Sequence, residues 1–160
     1  MKNQKKRIKK MKNLKMKIYE IKERDEIIID KLYKLWERSV RYSHLFLTED
    51  DIKNISKYVK PAIINIKHLI AAEYESKIIG MMGIENQVLE ILFLDPMSIG
   101  KGFGRALIEY GINNYNIKEV TVNEQNTNAL NFYKHIGFKA YKRNEYDELG
   151  NHFPIIYMRL

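Results

Sequence analysis

A cluster of three glycines is the feature of this 160-residue chain that most suggests chemistry. Gly100, Gly102 and Gly104 follow an apolar run that ends at Leu94, and they precede an amphipathic segment. Glycines let successive backbone N–H groups converge without obstruction by Cβ, and the N-terminus of a helix favours an anion. We therefore predict that a strand, a glycine loop and a helix bind a phosphate or pyrophosphate here, although a glycine-rich turn can also be purely structural.

Known phosphate-binding patterns narrow the choice of ligand. The loop does not end in Gly-Lys-Ser/Thr, as an ATP-binding P-loop does. Arg105 stands where the dinucleotide-binding pattern Gly-x-Gly-x-x-Gly needs its third glycine. Neither ATP nor NAD is therefore favoured, and Lys101 and Arg105 add positive charge beside the loop.

A second motif follows about 20 residues later. A β-rich segment ends at Asn123, and Asn126 is of a residue type that caps the N-terminus of a helix. Tyr133 comes seven residues after Asn126, on nearly the same helical face, and Gly137 ends the helix. The chain thus contains two strand-to-helix junctions in succession.

Other catalytic chemistries lack the residues that they need. With zero cysteines the protein forms no disulfide, no thiolate metal site and no cysteine nucleophile. Ser98 is not in the Gly-x-Ser-x-Gly context of a serine hydrolase. No metal site is expected, because no metal-ligand spacing relates the four histidines, which are His44, His68, His135 and His152.

The positive charge is concentrated at the N-terminus. The formal net charge is +8, yet residues 1–17 hold nine lysines and arginines and no acid, so the rest of the chain is nearly neutral. We expect residues 1–15 to be a basic, flexible extension and residues 16–160 to form a single domain. Such an arm could bind phosphates, ribosomal surfaces or anionic lipid, also as a basic amphipathic helix. The neutral body disfavours nucleic acid as a partner, except through this arm. Without a bilayer-spanning apolar run or a signal-peptide core, a cytoplasmic protein with no membrane partner is expected.

Hydrophobic periodicity and turn residues predict seven strands and four helices. The helices are expected at residues 25–42, from Thr48 to a stop before Pro61, at 102–114 and at 126–136. The strands are expected at residues 16–23, 68–73, 77–85, 87–94, 119–123, 139–147 and 154–159. The fold class is therefore α+β, with a mixed, mostly antiparallel twisted sheet of about seven strands flanked by about four helices.

The two motifs together resemble those of the GCN5-related N-acetyltransferases, the GNAT superfamily. The acetyl-CoA loop of that family typically reads Arg/Gln-x-x-Gly-x-Gly/Ala, and this chain has Ile99-x-x-Gly102-x-Gly104. Ile99 departs from the family pattern, so a side-chain contact of the usual Arg or Gln is lost while the backbone cradle remains. The segment from Asn126 to Tyr133 matches the second family motif. The resemblance covers residues 16–160 in element order and implies a GNAT fold with acetyl-CoA as co-substrate.

The resemblance implies a cofactor site that is built mainly from backbone groups. The loop N–H groups would hold the pyrophosphate, and the strand before the loop would splay from its neighbour to pair with the pantetheine arm. A free N–H of Phe93 or Leu94 would face the thioester oxygen, and Asn126 would both cap its helix and touch the pantetheine. The residues expected to bind acetyl-CoA are Phe93, Leu94, Ile99, Gly100, Lys101, Gly102, Phe103, Gly104, Arg105 and Asn126.

A narrower resemblance links the chain to the YjaB-like branch of bacterial GNAT proteins. It lies in residues 36–47 and 145–155, which in such folds close over the incoming amine. The candidate residues of the acceptor pocket are Trp36, His44, Phe46, His152 and Phe153. Core packing is the favoured alternative for Trp36 and Phe46, and a lone His44 is more often structural than catalytic.

Two side chains are expected to move protons in such an enzyme. Tyr133 would protonate the departing thiolate, with a packed core tyrosine as the alternative. Glu90, which by strand period should lie on the same side as Leu92 and Leu94, would take a proton from the ammonium through a water. Since the chain has no cysteine, direct attack in a ternary complex is expected rather than a ping-pong route.

The implied activity is acetyl-CoA-dependent N-acetylation of a primary amine. Protein N-termini, lysine side chains and small amines are all acceptors of this architecture, and a homodimer is a possible assembly. The alternative is a non-catalytic acyl-CoA-binding regulatory domain on the same fold, since a fold does not guarantee chemistry.

Overall fold

The structure is a computed structural model that describes residues 16–160; the predicted basic extension, residues 1–15, lies outside the described residues. The described chain forms seven strands and four α-helices. The strands are β1 (Met16–Glu20), β2 (His68–Tyr74), β3 (Lys77–Glu85), β4 (Val88–Leu94), β5 (Glu119–Asn123), β6 (Lys139–Asn144) and β7 (Ile155–Arg159). The helices are α1 (Glu26–Ser43), α2 (Glu49–Asn65), α3 (Phe103–Tyr115) and α4 (Thr127–Ile136), and a 3₁₀ turn covers Pro96–Ser98.

All seven strands belong to one sheet, in the order β1-β2-β3-β4-β5-β7-β6. Every neighbouring pair is antiparallel except β4 and β5, which are parallel. The predicted α+β class and mostly antiparallel seven-stranded sheet are therefore confirmed.

Each face of the sheet is covered by two helices. Leu107 of α3 and Tyr133 of α4 are buried on one face, and we call this cluster the α3–α4 core. Leu32 and Ile63 are buried with α1 and α2 on the other face, the α1–α2 core. Because side chains alternate along a strand, Leu92 and Leu94 of β4 pack on the first core and Phe93 packs on the second.

The parallel pair β4 and β5 is short, and the two strands separate after it. Only Val88 and Leu89 of β4 are paired with β5, opposite Glu119 and Val120. From Glu90 onward β4 continues beside β3 alone. The C-terminal half of β4 therefore has a free edge that faces a gap in the sheet.

Three helices begin directly after a residue whose side chain caps the N-terminus of the helix. The carboxylate of Asp25 accepts from the N–H of Ile28, and Thr48 and Asp51 form a capping box at the start of α2. Asn126 caps α4 by accepting from the N–H of Ala129 at 3.2 Å. α1, α2 and α4 thus each begin directly after a residue whose side chain caps the helix, as predicted for Asn126.

The predicted end of α2 before Pro61 is wrong, because the helix continues to Asn65 with Pro61 inside it. Because Pro61 has no N–H, the carbonyl of Lys57 lacks its helical hydrogen bond. Both residues lie on the exposed face of α2, where water can replace this bond. Ile63, two residues after Pro61, is buried in the α1–α2 core on the opposite face of the helix. Burial on one face outweighs the loss of one hydrogen bond on the other.

Two strands are shorter than predicted. β1 ends at Glu20 rather than at residue 23, with Ile21 donating a last hydrogen bond to the carbonyl of Leu69. β6 ends at Asn144 rather than at residue 147. The carboxylate of Asp147 accepts from the backbone N–H groups of Leu149 and Asn151, so it organises the loop instead of extending the strand.

Candidate active site

The glycine loop connects the 3₁₀ turn to α3. Gly100 and Gly102 have φ angles of 78° and 89°, in the left-handed region that favours glycine. A Cβ at either position would meet no atom within 4 Å. Backbone conformation, rather than lack of space, therefore requires glycine at these two positions, and the space in front of the loop is open.

The loop leads into the N-terminus of α3, where backbone donors are free. The first hydrogen bond of the helix joins the N–H of Ala106 to the carbonyl of Gly102 at 3.1 Å, and no side chain caps the helix. The N–H groups of Phe103, Gly104 and Arg105 consequently have no partner among the described residues. Three free donors in front of open space can bind a phosphate or pyrophosphate.

The side chains of the loop contribute less than its backbone. The Nε of Arg105 donates to a carboxylate oxygen of Glu109 at 2.7 Å, so its charge is shared within α3. Lys101 is exposed beside the loop, and Ile99 is 42% exposed where the family usually has Arg or Gln. The side chain of Phe103 is buried in the α3–α4 core, so only its N–H faces the loop.

Gly104 brings the start of α3 against both β4 and α4. A Cβ on Gly104 would lie 3.0 Å from Cδ1 of Leu94 and 3.6 Å from Cζ of Phe132. Phe132 is the neighbour of Tyr133 on α4. The glycine loop, the end of β4 and the helix that carries Tyr133 therefore meet at one place.

The free edge of β4 exposes the backbone of Leu94. The N–H of Asp95 donates to the carbonyl of Ile79 at 2.7 Å, so Asp95 points its N–H toward β3. Hydrogen-bonding direction alternates along a strand, so Phe93 also points toward β3, whereas Leu92 and Leu94 point toward the gap. Of the two candidates for the thioester contact, Leu94 has the N–H on the open side.

Tyr133 combines a core position with an accessible hydroxyl. The residue is 6% exposed, and its ring packs edge-on against Phe138 at a centroid distance of 5.8 Å. The hydroxyl makes no hydrogen bond to residues 16–160. In that part of the chain every fully buried polar side-chain atom has a hydrogen-bond partner, so the Tyr133 hydroxyl is not fully buried. The hydroxyl therefore reaches solvent at the surface of the α3–α4 core. Burial of the ring raises the pKa of Tyr133 above its ordinary value, which keeps the phenol protonated.

Aromatic side chains join the loop between α1 and α2 to the β6–β7 hairpin. The ring of Phe46 lies 5.4 Å from that of His44 and 5.8 Å from that of Phe153, measured between centroids. His44 in turn lies 6.5 Å from Phe93 of β4. The loop between α1 and α2 therefore contacts the β6–β7 hairpin, as predicted, and Phe93 of β4 borders this aromatic cluster.

Two of the five predicted acceptor-pocket residues lie elsewhere. Trp36 is 3% exposed in the α1–α2 core, with its ring 5.5 Å from that of Tyr33, so it packs the core instead of lining a pocket. His152 lies on the outside of the hairpin loop, where it contacts Glu145 at 3.1 Å and Tyr146. Long-range packing of α1 on the sheet decides the position of Trp36, whereas His152 is exposed and contacts residues of its own hairpin loop.

Glu90 lies on the side of β4 opposite to the one expected from strand period. The register of β4 against β3 shifts between Gly83 and Ile84, because Ile84 pairs with Leu89 whereas Gly83 pairs with Ile91. Glu90 is therefore the extra residue of a β-bulge, and it breaks the alternation that would align it with Leu92 and Leu94. The carboxyl group faces the α1–α2 side of the sheet.

There Glu90 lines a cleft of about 290 Å³ between β4, β5 and the β6–β7 hairpin. Burial raises the pKa of Glu90, with smaller contributions from the carboxylates of Glu148 and Glu85. The other lining residues are Thr121, Asn144, Tyr146, Asp147, Glu148, Leu149, Ile155 and Tyr157. Apart from Glu90, these lining residues were not predicted from the sequence, although alternation about the buried Val120 and Val122 indicates that Thr121 faces the other side of the sheet.

The site has the features that an extended thioester ligand with a diphosphate needs. Free N–H groups and open space at the start of α3 suit the diphosphate, and the unpaired edge of β4 suits a peptide-like chain. The hydroxyl of Tyr133 and the carboxyl of Glu90 belong to opposite faces of the sheet on either side of the gap. Such an arrangement permits transfer between a ligand on one side and an acceptor on the other.

Within residues 16–160, no three His, Asp or Glu side chains are grouped so that they could hold a metal ion. Over the same range, none of the helices is both long and apolar enough to traverse a bilayer.

Comparisons with known proteins assign the chain to a family. A family model described as an acetyltransferase (GNAT) domain matches residues 42–160. The peptidyl-lysine N-acetyltransferase YjaB of Salmonella typhimurium is 32% identical over 127 residues, which are 79% of this chain and 88% of that protein. The resemblance to the YjaB-like branch is thereby confirmed.

Solved structures show the same fold. The solution structure of apo-form YjaB from Escherichia coli matches with a TM-score of 0.80 and 30% identity, covering 90% of this chain and 96% of that one. The PaiA N-acetyltransferase from Thermoplasma acidophilum, crystallised in complex with coenzyme A, matches with a TM-score of 0.67 and 21% identity, covering 91% and 99%. The family model, the sequence relative and the geometry of the glycine loop lead to one conclusion: the chain belongs to the GNAT family of acetyltransferases.

Proposed function

We propose that this acetyltransferase moves the acetyl group of acetyl-CoA to the ε-amine of a protein lysine, by direct attack in a ternary complex. A relative at 32% identity is described as a peptidyl-lysine N-acetyltransferase, and a structural neighbour was crystallised with coenzyme A. The observation that carries the proposal is the free edge of β4 at Leu94, which adjoins the uncapped N-terminus of α3 through Gly104.

The backbone at the start of α3 would hold the cofactor. The N–H groups of Phe103, Gly104 and Arg105 would donate to the pyrophosphate, and Lys101 would add a positive charge. Asn126 has its side-chain oxygen engaged in capping α4, which leaves its amide N–H groups for the pantetheine. When bound, acetyl-CoA supplies an acetyl group that is activated as a thioester.

The N–H of Leu94 would polarise the acetyl carbonyl. It points into the gap between β4 and β5, and its position is set by the pairing of β4 with β3. A donor that is held by a rigid strand stabilises developing negative charge on oxygen without reorganisation during the reaction. The hydroxyl of Tyr133 would protonate the leaving thiolate, and its raised pKa keeps that proton available at neutral pH.

Glu90 would remove the proton from the attacking amine through a water. Its raised pKa makes it a stronger base than an ordinary carboxylate. The open, acid-lined cleft around it suits a cationic side chain that enters from solvent. Burial lowers the pKa of His44, so this ring stays neutral and does not repel an incoming ammonium.

A thiol-release assay with acetyl-CoA and peptides tests the proposal. We expect a lysine-containing peptide with a blocked N-terminus to be acetylated, and the same peptide with arginine in place of lysine to be inert. Mass spectrometry of the product would place the acetyl group on the ε-nitrogen. Binding of acetyl-CoA without transfer to any amine would instead support the non-catalytic acyl-CoA-binding alternative.

A further inference from the structure

One of the protons that the proposed reaction releases has no acceptor so far. A lysine ammonium carries three protons and the nitrogen of the acetamide product carries one, so two protons must leave the nitrogen. Glu90 takes the first through a water, and the second leaves only when the nitrogen bonds to the acetyl carbon. We propose that His44 is a catalytic residue whose Nε2 accepts this second proton. The inference rests on the proposed function, because it assigns a further group to the same reaction.

Hydrogen bonds at the end of α1 fix which nitrogen of the His44 ring carries the proton. The hydroxyl of Ser43 lies 2.8 Å from the carbonyl oxygen of Ser39, which can only accept, so the hydroxyl donates its single proton there. The same hydroxyl oxygen lies 2.7 Å from Nδ1 of His44 and therefore accepts at this second contact. In the neutral ring Nδ1 thus carries the proton, and Nε2 carries a lone pair.

The lone pair on Nε2 of His44 is available to a ligand. Nε2 makes no hydrogen bond to residues 16–160, and every fully buried polar side-chain atom of that range has a partner, so Nε2 is not fully buried. The ring as a whole is half-buried against Phe46 and Phe93, whose centroids lie 5.4 Å and 6.5 Å away. Nε2 can therefore accept from an N–H group of the acceptor.

The surroundings of His44 suit a group that gains a proton for a short time. Burial lowers the pKa of the ring, which keeps it neutral and able to accept at neutral pH. His44 is also the C-cap of α1, where its backbone N–H donates to the carbonyl of Val40 at 2.8 Å. Because the C-terminus of a helix favours positive charge, the imidazolium that forms on proton transfer is stabilised there.

His44 lies on the side of the sheet from which the acceptor enters. Glu90 faces this side, and Phe93, on which His44 packs, belongs to the α1–α2 core of the same side. Phe93 directly precedes Leu94, whose N–H would polarise the acetyl carbonyl, whereas Glu90 precedes Leu94 by four residues, at most roughly 13 Å of strand. An amine that moves along β4 toward the thioester therefore passes Glu90 first and reaches His44 at the end of its path.

The movements of protons and electron pairs balance when His44 is included. Glu90 takes one proton from the ammonium, and the lone pair that remains forms the bond from nitrogen to the acetyl carbon. His44 takes the second proton from the nitrogen, the bond from the acetyl carbon to sulfur breaks, and Tyr133 protonates the thiolate. Solvent then removes the protons from Glu90 and His44 and restores the proton of Tyr133, so each turnover releases one proton.

Substitutions at His44, assayed with acetyl-CoA and a lysine peptide, test the inference. In His44→Ala the single-turnover rate should fall by about 10²- to 10⁴-fold, the usual contribution of general acid–base catalysis, with the Kd for acetyl-CoA unchanged. Added imidazole should restore part of this rate, because it can occupy the space of the lost ring and supplies the same lone pair. His44→Gln should also be slow, since its amide accepts a hydrogen bond but not a proton.

A second histidine of the chain provides the matched control. His152 lies on the outside of the β6–β7 loop, where it contacts Glu145 at 3.1 Å, so the rate of His152→Ala should equal that of wild type with and without imidazole. The ¹⁵N chemical shifts of the His44 ring provide a readout that does not depend on activity. In the full-length protein at neutral pH they should show a proton on Nδ1 and none on Nε2.

Three results would each overturn the inference. They are a rate near that of wild type in His44→Gln, a loss of rate in His44→Ala that imidazole does not restore, and a neutral ring with its proton on Nε2. If wild type acetylates the lysine peptide in the same assay, the proposed function stands in all three cases. If wild type acetylates no lysine peptide, the proposed function fails, and the role of His44 fails with it.

Discussion

Arg38 of α1 donates two hydrogen bonds to one carboxylate oxygen of Asp95, from Nε at 3.0 Å and from Nη2 at 2.8 Å. The other carboxylate oxygen of Asp95 accepts from the N–H of Met97 at 3.1 Å, and so caps the 3₁₀ turn that leads into the glycine loop. The side chain of Asp95 therefore connects α1 to the 3₁₀ turn that precedes the glycine loop.

Loss of this connection should weaken cofactor binding more than it destabilises the fold. Arg38 is 52% exposed, so the pair contributes at most about 1 kcal/mol, which is about fivefold in affinity. We expect Arg38→Ala to raise the Kd for acetyl-CoA by up to about fivefold, measured by calorimetry, with little change in Tm. Arg41→Ala is the matched control, because Arg41 lies on the same helix and pairs with Glu37 and Glu49 away from the loop. Equal effects of the two substitutions would contradict the role assigned to Arg38.

The role of Gly102 in the glycine loop can be tested with Gly150 as a control, because the two glycines have similar backbone geometry. Gly102 and Gly150 have φ angles of 89° and 79°, and a Cβ at either position would meet no atom within 4 Å. Alanine at either position should therefore lower the free energy of unfolding by about 1–2 kcal/mol, the cost of left-handed backbone for a residue with Cβ.

Aspartate should separate the two positions. At Gly102 it adds a carboxylate in front of the proposed pyrophosphate site, so we expect the affinity for both CoA and acetyl-CoA to fall far more than with alanine. At Gly150, in the β6–β7 loop, aspartate should leave that affinity unchanged. A similar loss at both positions would show that the affinity responds to general destabilisation rather than to charge at the loop.

Removal of the Tyr133 hydroxyl should slow the chemical step without disturbing the core. The hydroxyl makes no hydrogen bond to residues 16–160, so Tyr133→Phe should change Tm and acetyl-CoA affinity little. General acid catalysis contributes about 10²- to 10⁴-fold, so the single-turnover rate should fall within that range. Tyr74→Phe, at another tyrosine packed on the α3–α4 core, is the control. An unchanged single-turnover rate in the Tyr133 variant would return this residue to a packing role.

Glu90 should reveal its role as a base through pH. We expect Glu90→Gln to be far slower than wild type at pH 7, and the difference to shrink as the pH approaches the pKa of the amine. At that pH the amine loses its proton without help, so the base is no longer needed. Rates of peptide acetylation from pH 6 to 10 provide the measurement, with Glu148→Gln as the control from the same cleft. A constant ratio across this range would exclude a base function.

Glu90→Gln, which should slow the reaction, should also make the folded protein more stable at neutral pH. The pKa of Glu90 is raised above its ordinary value of 4.5, so the folded protein holds this proton more tightly than the unfolded chain does. Stability from this group is present at acid pH and is lost as the pH rises through the raised pKa. Glu90→Gln should therefore be more stable than wild type at pH 7, and the difference should vanish below pH 4.5. Urea denaturation at the two pH values measures it.

Local sequence patterns determined the elements and the two motifs of this protein. Thr48 and Asn126 predict the starts of their helices because their side chains accept from backbone N–H groups three residues further on. Such an interaction is local and can be recognised in the sequence. The turn between β2 and β3 at Glu75 and Ser76 likewise depends on neighbouring residues, and both have positive φ. The glycines after β4 could be identified for the same reason.

Tertiary structure alone decided where several side chains point. Glu90 faces the cleft beside the β6–β7 hairpin because a bulge against β3 breaks the alternation of β4, and strand pairing is a long-range relation. Trp36 is buried because α1 packs on the sheet, and α2 passes through Pro61 because burial of Ile63 outweighs one lost hydrogen bond. The N–H of Leu94 is open for a related reason, since the separation of β4 from β5 depends on contacts between segments that lie far apart in the chain.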